Sequence, residues 1–163
     1  MRIKRSAFTM VELIFVIVII GILSAIAIPR FNGTADNAYL TKAQSELSAV
    51  RSALSMERQR RILRGDTTAI TSLSCTSSSC SDDPTYAFDH FSEDRDGNYT
   101  KVIDYPVKAC EEGQKACWKV DTSGDAPTYR YQFIDDGEAV FVLDKNRLDC
   151  EEGDEDDCEK ITL

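Results

Sequence analysis

The side chains of this 163-residue chain that could do chemistry are mostly carboxylates and thiols. Asp and Glu together number 28, and the only imidazole is that of His90. The sequence has no G-x-S-x-G elbow, no H-E-x-x-H helix motif and no Gly-rich phosphate loop. His90 lies in the segment Phe88–Phe91, where packing of a loop is a simpler interpretation than proton transfer. No catalytic residue is predicted, and the chain is not expected to be an enzyme.

Two acidic segments could gather oxygen ligands for a cation. Asp94–Asn98 resembles the opening of a calcium loop but lacks the later ligands and the closing Glu. The second segment comprises Asp144, Asn146, Asp149 and the run 151–157. Calcium takes about six to eight oxygen ligands, and neither segment supplies them in a recognised order. We therefore expect no metal site and no cofactor, with calcium in the C-terminal acidic loop as the alternative to a solvated loop.

The six cysteines fall into three close pairs. An even number of cysteines in an exported segment favours disulfides over free thiols. A zinc site is the alternative, but the sequence offers no C-x-x-C pair and one histidine. Six cysteines allow many connectivities, and the grouping predicts three local bridges. The candidates are Cys75 with Cys80, Cys110 with Cys117, and Cys150 with Cys158.

An apolar run extends from Phe8 to Ile28 and is interrupted only by Glu12. At 1.5 Å per residue such a helix spans about 30 Å of hydrocarbon. Basic residues at positions 2, 4 and 5 precede the run, which predicts a cytoplasmic N-terminus and a translocated remainder. A plain single-pass anchor and a signal peptide cut after Ala27 are alternatives. The net charge of -9 argues against direct binding of nucleic acid.

Glu12 is the candidate functional residue of the apolar run. A carboxylate at the centre of a membrane span costs roughly 2.5–3.5 kcal/mol, so such residues are functional candidates by default. Cleavage before Phe8 would create a positive amine four residues from Glu12, within reach on a helix. The alternative is a glutamate that merely lies near the membrane interface.

The N-terminal sequence resembles a known processing signal. Residues 4–7, Lys-Arg-Ser-Ala, followed by Phe-Thr-Met-Val-Glu-Leu-Ile at 8–14, resemble the prepilin cleavage and methylation motif of type IV pilins and type II secretion pseudopilins. The resemblance implies cleavage after Ala7, where the family usually has Gly, and methylation of the Phe8 amine. It also implies that Glu12 pairs with the amine of a neighbouring subunit. Pro29 matches the helix-kinking proline of the family.

An amphipathic helix is predicted beyond Pro29. Its apolar stripe recurs at spacings of three and four residues: Leu40, Ala43, Leu47, Val50 and Leu54. Gly65-Asp66 is a stop signal. The basic run 58–61 predicts a solvated helix end, with a partner-binding patch as the alternative. Residues 66–98 show little periodicity and predict a variable loop.

The last third of the chain predicts an antiparallel sheet of three or four strands. Strand-like residues occur at 99–105, 118–121, 128–134 and 139–143, with a turn at 135–137. The face made by Tyr129, Tyr131 and Phe133 is expected to pack on the helix stripe. The fold class is therefore α+β, in which a long N-terminal helix packs on a small sheet, as in the pilin-like fold.

The predicted organisation has five parts: a prepilin leader (1–7), a transmembrane and assembly helix (8–28), an amphipathic spine helix (29–65), a variable loop region (66–98), and the sheet with an acidic C-terminal disulfide loop (99–163). The resemblance implies a structural subunit of a type II secretion pseudopilus that drives protein export across the outer membrane. Before assembly it would lie in the bacterial inner membrane, with a cytoplasmic N-terminus and a periplasmic domain. Expected partners are other pilin or pseudopilin subunits, the prepilin peptidase, the inner-membrane assembly platform and membrane lipid. A type IV or competence pilin, and an exported soluble binding module cleaved after Ala27, are the alternatives.

Overall fold

The computed structural model describes residues 8–74, 86–124, 126–153 and 155–162. The chain divides into two compact units, Met1–Ala38 and Tyr39–Leu163. Each unit is described by itself below.

In the first unit, helix α1 (Met10–Leu63) begins beside a capping threonine. The Glu12 backbone N–H donates to Thr9 Oγ1 at 3.2 Å, which satisfies one of the free donors of the first turn. The large apolar side chains from Phe8 to Ile28 are exposed. The stretch Met10–Ile28 has a mean hydropathy of 3.0 and is long and apolar enough to cross a membrane. The helical backbone of α1 continues through residues 29–34, past the proline that was matched to a helix-kinking position.

In the second unit, α1 presents its apolar stripe to the core. Ala43, Leu47, Val50 and Leu54 are all buried. The helix ends at a Schellman motif, in which Gly65 N donates to Ile62 O and Asp66 N donates to Arg61 O, each at 2.9 Å. Gly65 has φ +71°, a left-handed conformation that glycine adopts readily. The stripe and the stop signal therefore act as the sequence predicted.

The sheet is an antiparallel meander of four strands in the order β1-β2-β3-β4. The strands are β1 (Cys117–Asp121), β2 (Thr128–Gln132), β3 (Glu138–Asp144) and β4 (Arg147–Cys150), and helix α2 (Glu155–Thr162) follows. Lys145 and Asn146 both have positive φ, as a two-residue type I′ hairpin requires, and so join β3 to β4. This α+β architecture confirms the predicted fold class.

The prediction of a strand at 99–105 was wrong. Within it, Lys101 forms only an isolated bridge with His90. The backbone of this segment bonds to the preceding loop instead, since Val102 N donates to Asp89 O at 2.9 Å. The outer edge of β1 is already taken, because Cys110 N donates to Trp118 O at 2.7 Å. The edge of β1 is therefore not available to this segment.

The core is centred on Trp118, which is fully buried. Its ring contacts Tyr131 and Phe141 with centroids 5.2 and 5.6 Å away. Its indole N–H donates to Glu46 Oε2 on α1 at 2.9 Å, so one side chain links sheet and helix. Phe88, from the segment predicted as a variable loop, lies 5.1 Å from Trp118 and is also fully buried. The predicted packing of the Tyr129, Tyr131 and Phe133 face on the helix stripe is confirmed.

Candidate assembly site

The first turn of α1 places a carboxylate on an apolar helix surface. Glu12 is exposed, and its neighbours Val11 and Leu13 are 77% and 55% exposed. Among the residues that the structure describes, no cation pairs with Glu12. A lone carboxylate on a surface suited to lipid or to other helices needs a positive partner once that surface is covered.

The processing residues lie at the edge of the described chain. Ala7 lies outside the described residues, and Phe8 is the first residue described. Phe8 lies two residues before the first residue of α1, so its backbone nitrogen lies near the start of the helix. Its side chain is 76% exposed. Pro29 lies within the helical backbone of α1, and its side chain is outside the description.

Two of the three predicted disulfides are present in the structure. Cys110–Cys117 closes the loop before β1, and Cys150–Cys158 joins the end of β4 to α2. The second bridge holds α2 against the sheet, where Ile161 is buried in the core. The predicted Cys75–Cys80 pair lies outside the described residues.

The loop that resembled a calcium site is a hydrogen-bonded turn. Asp94 Oδ1 accepts from the backbone N–H groups of Asp96 and Asn98 at 3.0 and 2.9 Å. Its Oδ2 lies 3.4 Å from the Arg64 guanidinium. The backbone hydrogen bond from Asn98, together with that from Asp96 and the charge of Arg64, lowers the pKa of Asp94. The carboxylate thus already has donors of its own and stabilises the turn after Glu93.

The C-terminal acidic segment also makes separate contacts within the protein. Asn146 Oδ1 accepts from Ile70 N at 2.7 Å, and Asp149 pairs with Arg147 at 3.2 Å. Asp157 accepts from Lys160 Nζ at 2.5 Å, and this bond raises the pKa of Lys160. Within the described ranges, no three His, Cys, Asp or Glu side chains converge as a metal site would require.

His90 contributes to loop packing. Its Nδ1 lies 3.4 Å from Asp89 Oδ2, and its side chain is mostly buried. Its backbone bridges to Lys101. These contacts agree with the structural interpretation of this histidine.

The prediction of a solvated helix end at 58–61 was wrong for Arg61, which is buried. Its side chain is 2% exposed, and its Nε donates to the buried Glu57 at 3.0 Å. The same guanidinium donates to the carbonyls of Ser92 and Glu93, which holds the following loop against α1. The spacing of four residues between Glu57 and Arg61 was the sequence signal for this pair.

Most of the similarity to known proteins that is described here lies in the N-terminal part of the chain. The family described as the prokaryotic N-terminal methylation motif matches residues 2–28. Type IV narrow pilus major component PilA5 of Thermus thermophilus is 50% identical over 50 residues, 31% of this chain and 43% of the relative. Type II secretion system core protein G of Pseudomonas aeruginosa is 38% identical over 55 residues, 34% of this chain. The matched region spans 39% of the length of that protein G.

One similarity extends well beyond the anchor. Type IV major fimbrial protein FimA of Dichelobacter nodosus is 30% identical over 113 residues, 69% of this chain and 70% of the relative. The chain belongs to the type IV pilin and pseudopilin family. No solved structure matches it. The methylation motif of this family member covers residues 2–28, and the apolar span of α1 covers Met10–Ile28. Glu12 lies inside both segments.

Proposed function

We propose that this member of the pilin family is a non-enzymatic structural subunit that assembles into a filament through the first part of α1. One observation carries the proposal: Glu12 lies in the first turn of an exposed apolar helix, inside the matched methylation motif. Assembly would bury this surface against the helices of other subunits. Before assembly, membrane lipid would cover it.

The partner that suits Glu12 is the N-terminal amine of a neighbouring subunit. Cleavage after Ala7 would leave a positive amine at Phe8, beside the positive end of the helix dipole. The N-terminal end of a helix is unfavourable for a cation, and so are apolar surroundings. A carboxylate from a neighbouring subunit would therefore stabilise the amine once the helix surface is covered. Because Glu12 lies about one turn along α1, pairing across subunits would also fix their axial offset.

The processing and location of the subunit follow from the same arrangement. We expect a prepilin peptidase to cut after Ala7 and methylate Phe8, with an inner-membrane platform then extracting the subunit. The domain from Tyr39 onward would lie in the periplasm, where its disulfides can form. A cut after Ala27, as a signal peptidase would make, falls inside α1.

Among filament systems, we propose the type II secretion pseudopilus. The similarity to core protein G and the single small disulfide-bearing domain support it. A type IV pilus is the second candidate, favoured by the longer similarity to FimA.

Deletion of the gene distinguishes these two systems. Loss of a pseudopilus subunit should leave exported proteins in the periplasm while surface filaments persist. Fractionation of culture medium and periplasm, with electron microscopy of the same cells, measures both effects, and a plasmid copy of the gene is the control. Normal secretion with loss of surface filaments would contradict the secretion proposal and support the pilus.

A further inference from the structure

A basic groove lies between α1 and the beginning of β4. Its volume is about 350 Å³, and its lining includes Arg51, Arg58 and Arg147. Asp149 is the one carboxylate among the described residues that line it. Three guanidinium groups against one carboxylate leave two positive charges uncompensated. The groove is therefore cationic in a chain whose net charge is -9.

Two of the three arginines of this groove contact other groups of the domain. Arg51 Nε donates to Leu148 O at 3.0 Å, which fixes its side chain against β4. Arg147 pairs with Asp149 at 3.2 Å. Arg58 is exposed and has no ion-pair partner in the described part of the chain. Arg51 and Arg58 are seven residues apart, so they lie on one helix face with a rise of about 10 Å between them.

Three carboxylates of the same unit form a second charged surface, which we call the acidic corner: Asp135, Asp156 and Asp157. Asp157 accepts from Lys160 Nζ at 2.5 Å, and the carboxylates of Asp157 and Asp135 both lie beside Gly137. The hydrogen bond from Lys160 to Asp157, with the charges of Asp157, Asp135 and Asp156, raises the pKa of Lys160. Asp135 and Asp156 are exposed. The Lys160 carbonyl accepts from Gln44 on α1 at 3.0 Å, which places this corner beside an earlier turn of the helix than the groove. From Gln44 to Arg58 the rise along the helix is about 21 Å.

We propose that the basic groove binds the acidic corner of a second copy of this chain. The inference rests on the proposed function, because it names the contact that the globular domains make when subunits assemble. Like charges oppose a two-fold contact of groove with groove or corner with corner. The contact must therefore join different surfaces of the two copies, and repeated contacts of this kind build open filaments rather than closed dimers.

The acidic corner is a better occupant than a nucleic acid or an anionic lipid headgroup. The net charge of the chain repels polyanions at a distance, and one small groove neutralises few phosphates. In a filament, the contact between the α1 helices already holds a neighbouring subunit close by, so its carboxylates are present at a high effective concentration. Binding of these carboxylates then needs no long-range electrostatic attraction.

Charge reversal in the full-length chain, expressed with its assembly machinery, tests this contact. The variants are Arg58→Glu, Asp156→Arg and the double substitution, and the exposed Lys101→Glu is the control outside the groove. The readout is the yield of sheared filaments relative to membrane-inserted chain. Because like charges placed opposite each other at an interface oppose binding, each single variant should lower the yield about ten-fold or more, and the double variant should recover most of it.

The outcomes separate this inference from the proposed function. Recovery in the double variant, with a normal yield for Lys101→Glu, supports head-to-tail docking. If wild type assembles and Asp156→Arg assembles equally well, or the double variant fails to recover, the groove does not bind the acidic corner. Loss in Arg58→Glu alone would indicate another anionic occupant and would overturn the proposal. Absence of filaments from correctly processed wild type would overturn the proposed function itself.

Discussion

Replacing Glu12 with Ala is expected to leave membrane insertion intact and to lower filament yield about thirty-fold. The substitution makes the span more apolar, so insertion has no reason to fail. It leaves the amine of the neighbouring subunit without its carboxylate in apolar surroundings. A lost contact of about 2 kcal/mol per subunit corresponds to about a thirty-fold change in an association constant.

The matched variants for this prediction lie in the same turn. Val11→Ala shortens an exposed apolar side chain beside Glu12 and should assemble normally. Glu12→Gln keeps the size and polarity of the side chain but removes its charge, so it should fail nearly as strongly as Glu12→Ala. Membrane fractionation measures insertion, and shearing with immunoblotting measures filaments. Normal incorporation of Glu12→Ala would refute the role assigned to this carboxylate.

The largest expected loss of stability comes from replacing Arg61 with Ala. The substitution removes the buried partner of Glu57, which is only 5% exposed and keeps only the half-exposed Arg60, and it removes donors from the carbonyls of Ser92 and Glu93. Breaking a buried ion pair by removing one partner costs about 3–5 kcal/mol. We expect a loss of that size in the free energy of unfolding.

Arg60→Ala is the control for this prediction. Arg60 also pairs with Glu57, but its side chain is 48% exposed, so its loss should cost less than about 1 kcal/mol. Both variants can be followed in detergent by urea unfolding, because Trp118 is the only tryptophan and is fully buried. Its emission should shift to longer wavelength as the core opens. Equal stability of the Arg60 and Arg61 variants would show that burial of the pair contributes nothing.

The sequence predicted those parts of the fold that depend on local spacing. The stripe from Leu40 to Leu54 repeats with the helical period, and Gly65 supplies the left-handed residue that the helix end needs. The three strands from Trp118 to Leu143 were recognisable from their aromatic and β-branched residues. Cysteines that are close in sequence were paired correctly in both described bridges.

Features that depend on distant segments were missed. Phe88 and Leu73 lie in a segment without periodicity, yet both are fully buried against the sheet and helix. Strand β4 was hidden because it is short and lies next to an acidic run. Arg61 was predicted to be solvated because a run of charged residues usually is. It is buried because the loop that contains Ser92 packs over it.

Of the candidate functional features, one was predicted from local sequence and one was not. Glu12 was predicted as a candidate because its apolar surroundings lie next to it in sequence, and its role stays a prediction. The basic groove was not, because Arg58 and Arg147 are far apart in the chain and meet only through the packing of α1 on β4. The run 58–61 contained one residue of that groove, but sequence alone could not separate Arg58 from the buried Arg61.

Mass spectrometry of the mature N-terminus tests the central claim most directly. The chain should be purified from membranes of cells that carry its own processing enzymes. If filaments assemble through Glu12, the mature protein should begin at Phe8 with a methylated amine. A chain that begins at Ile28, as after signal-peptidase cleavage, or one that retains Met1, would contradict it.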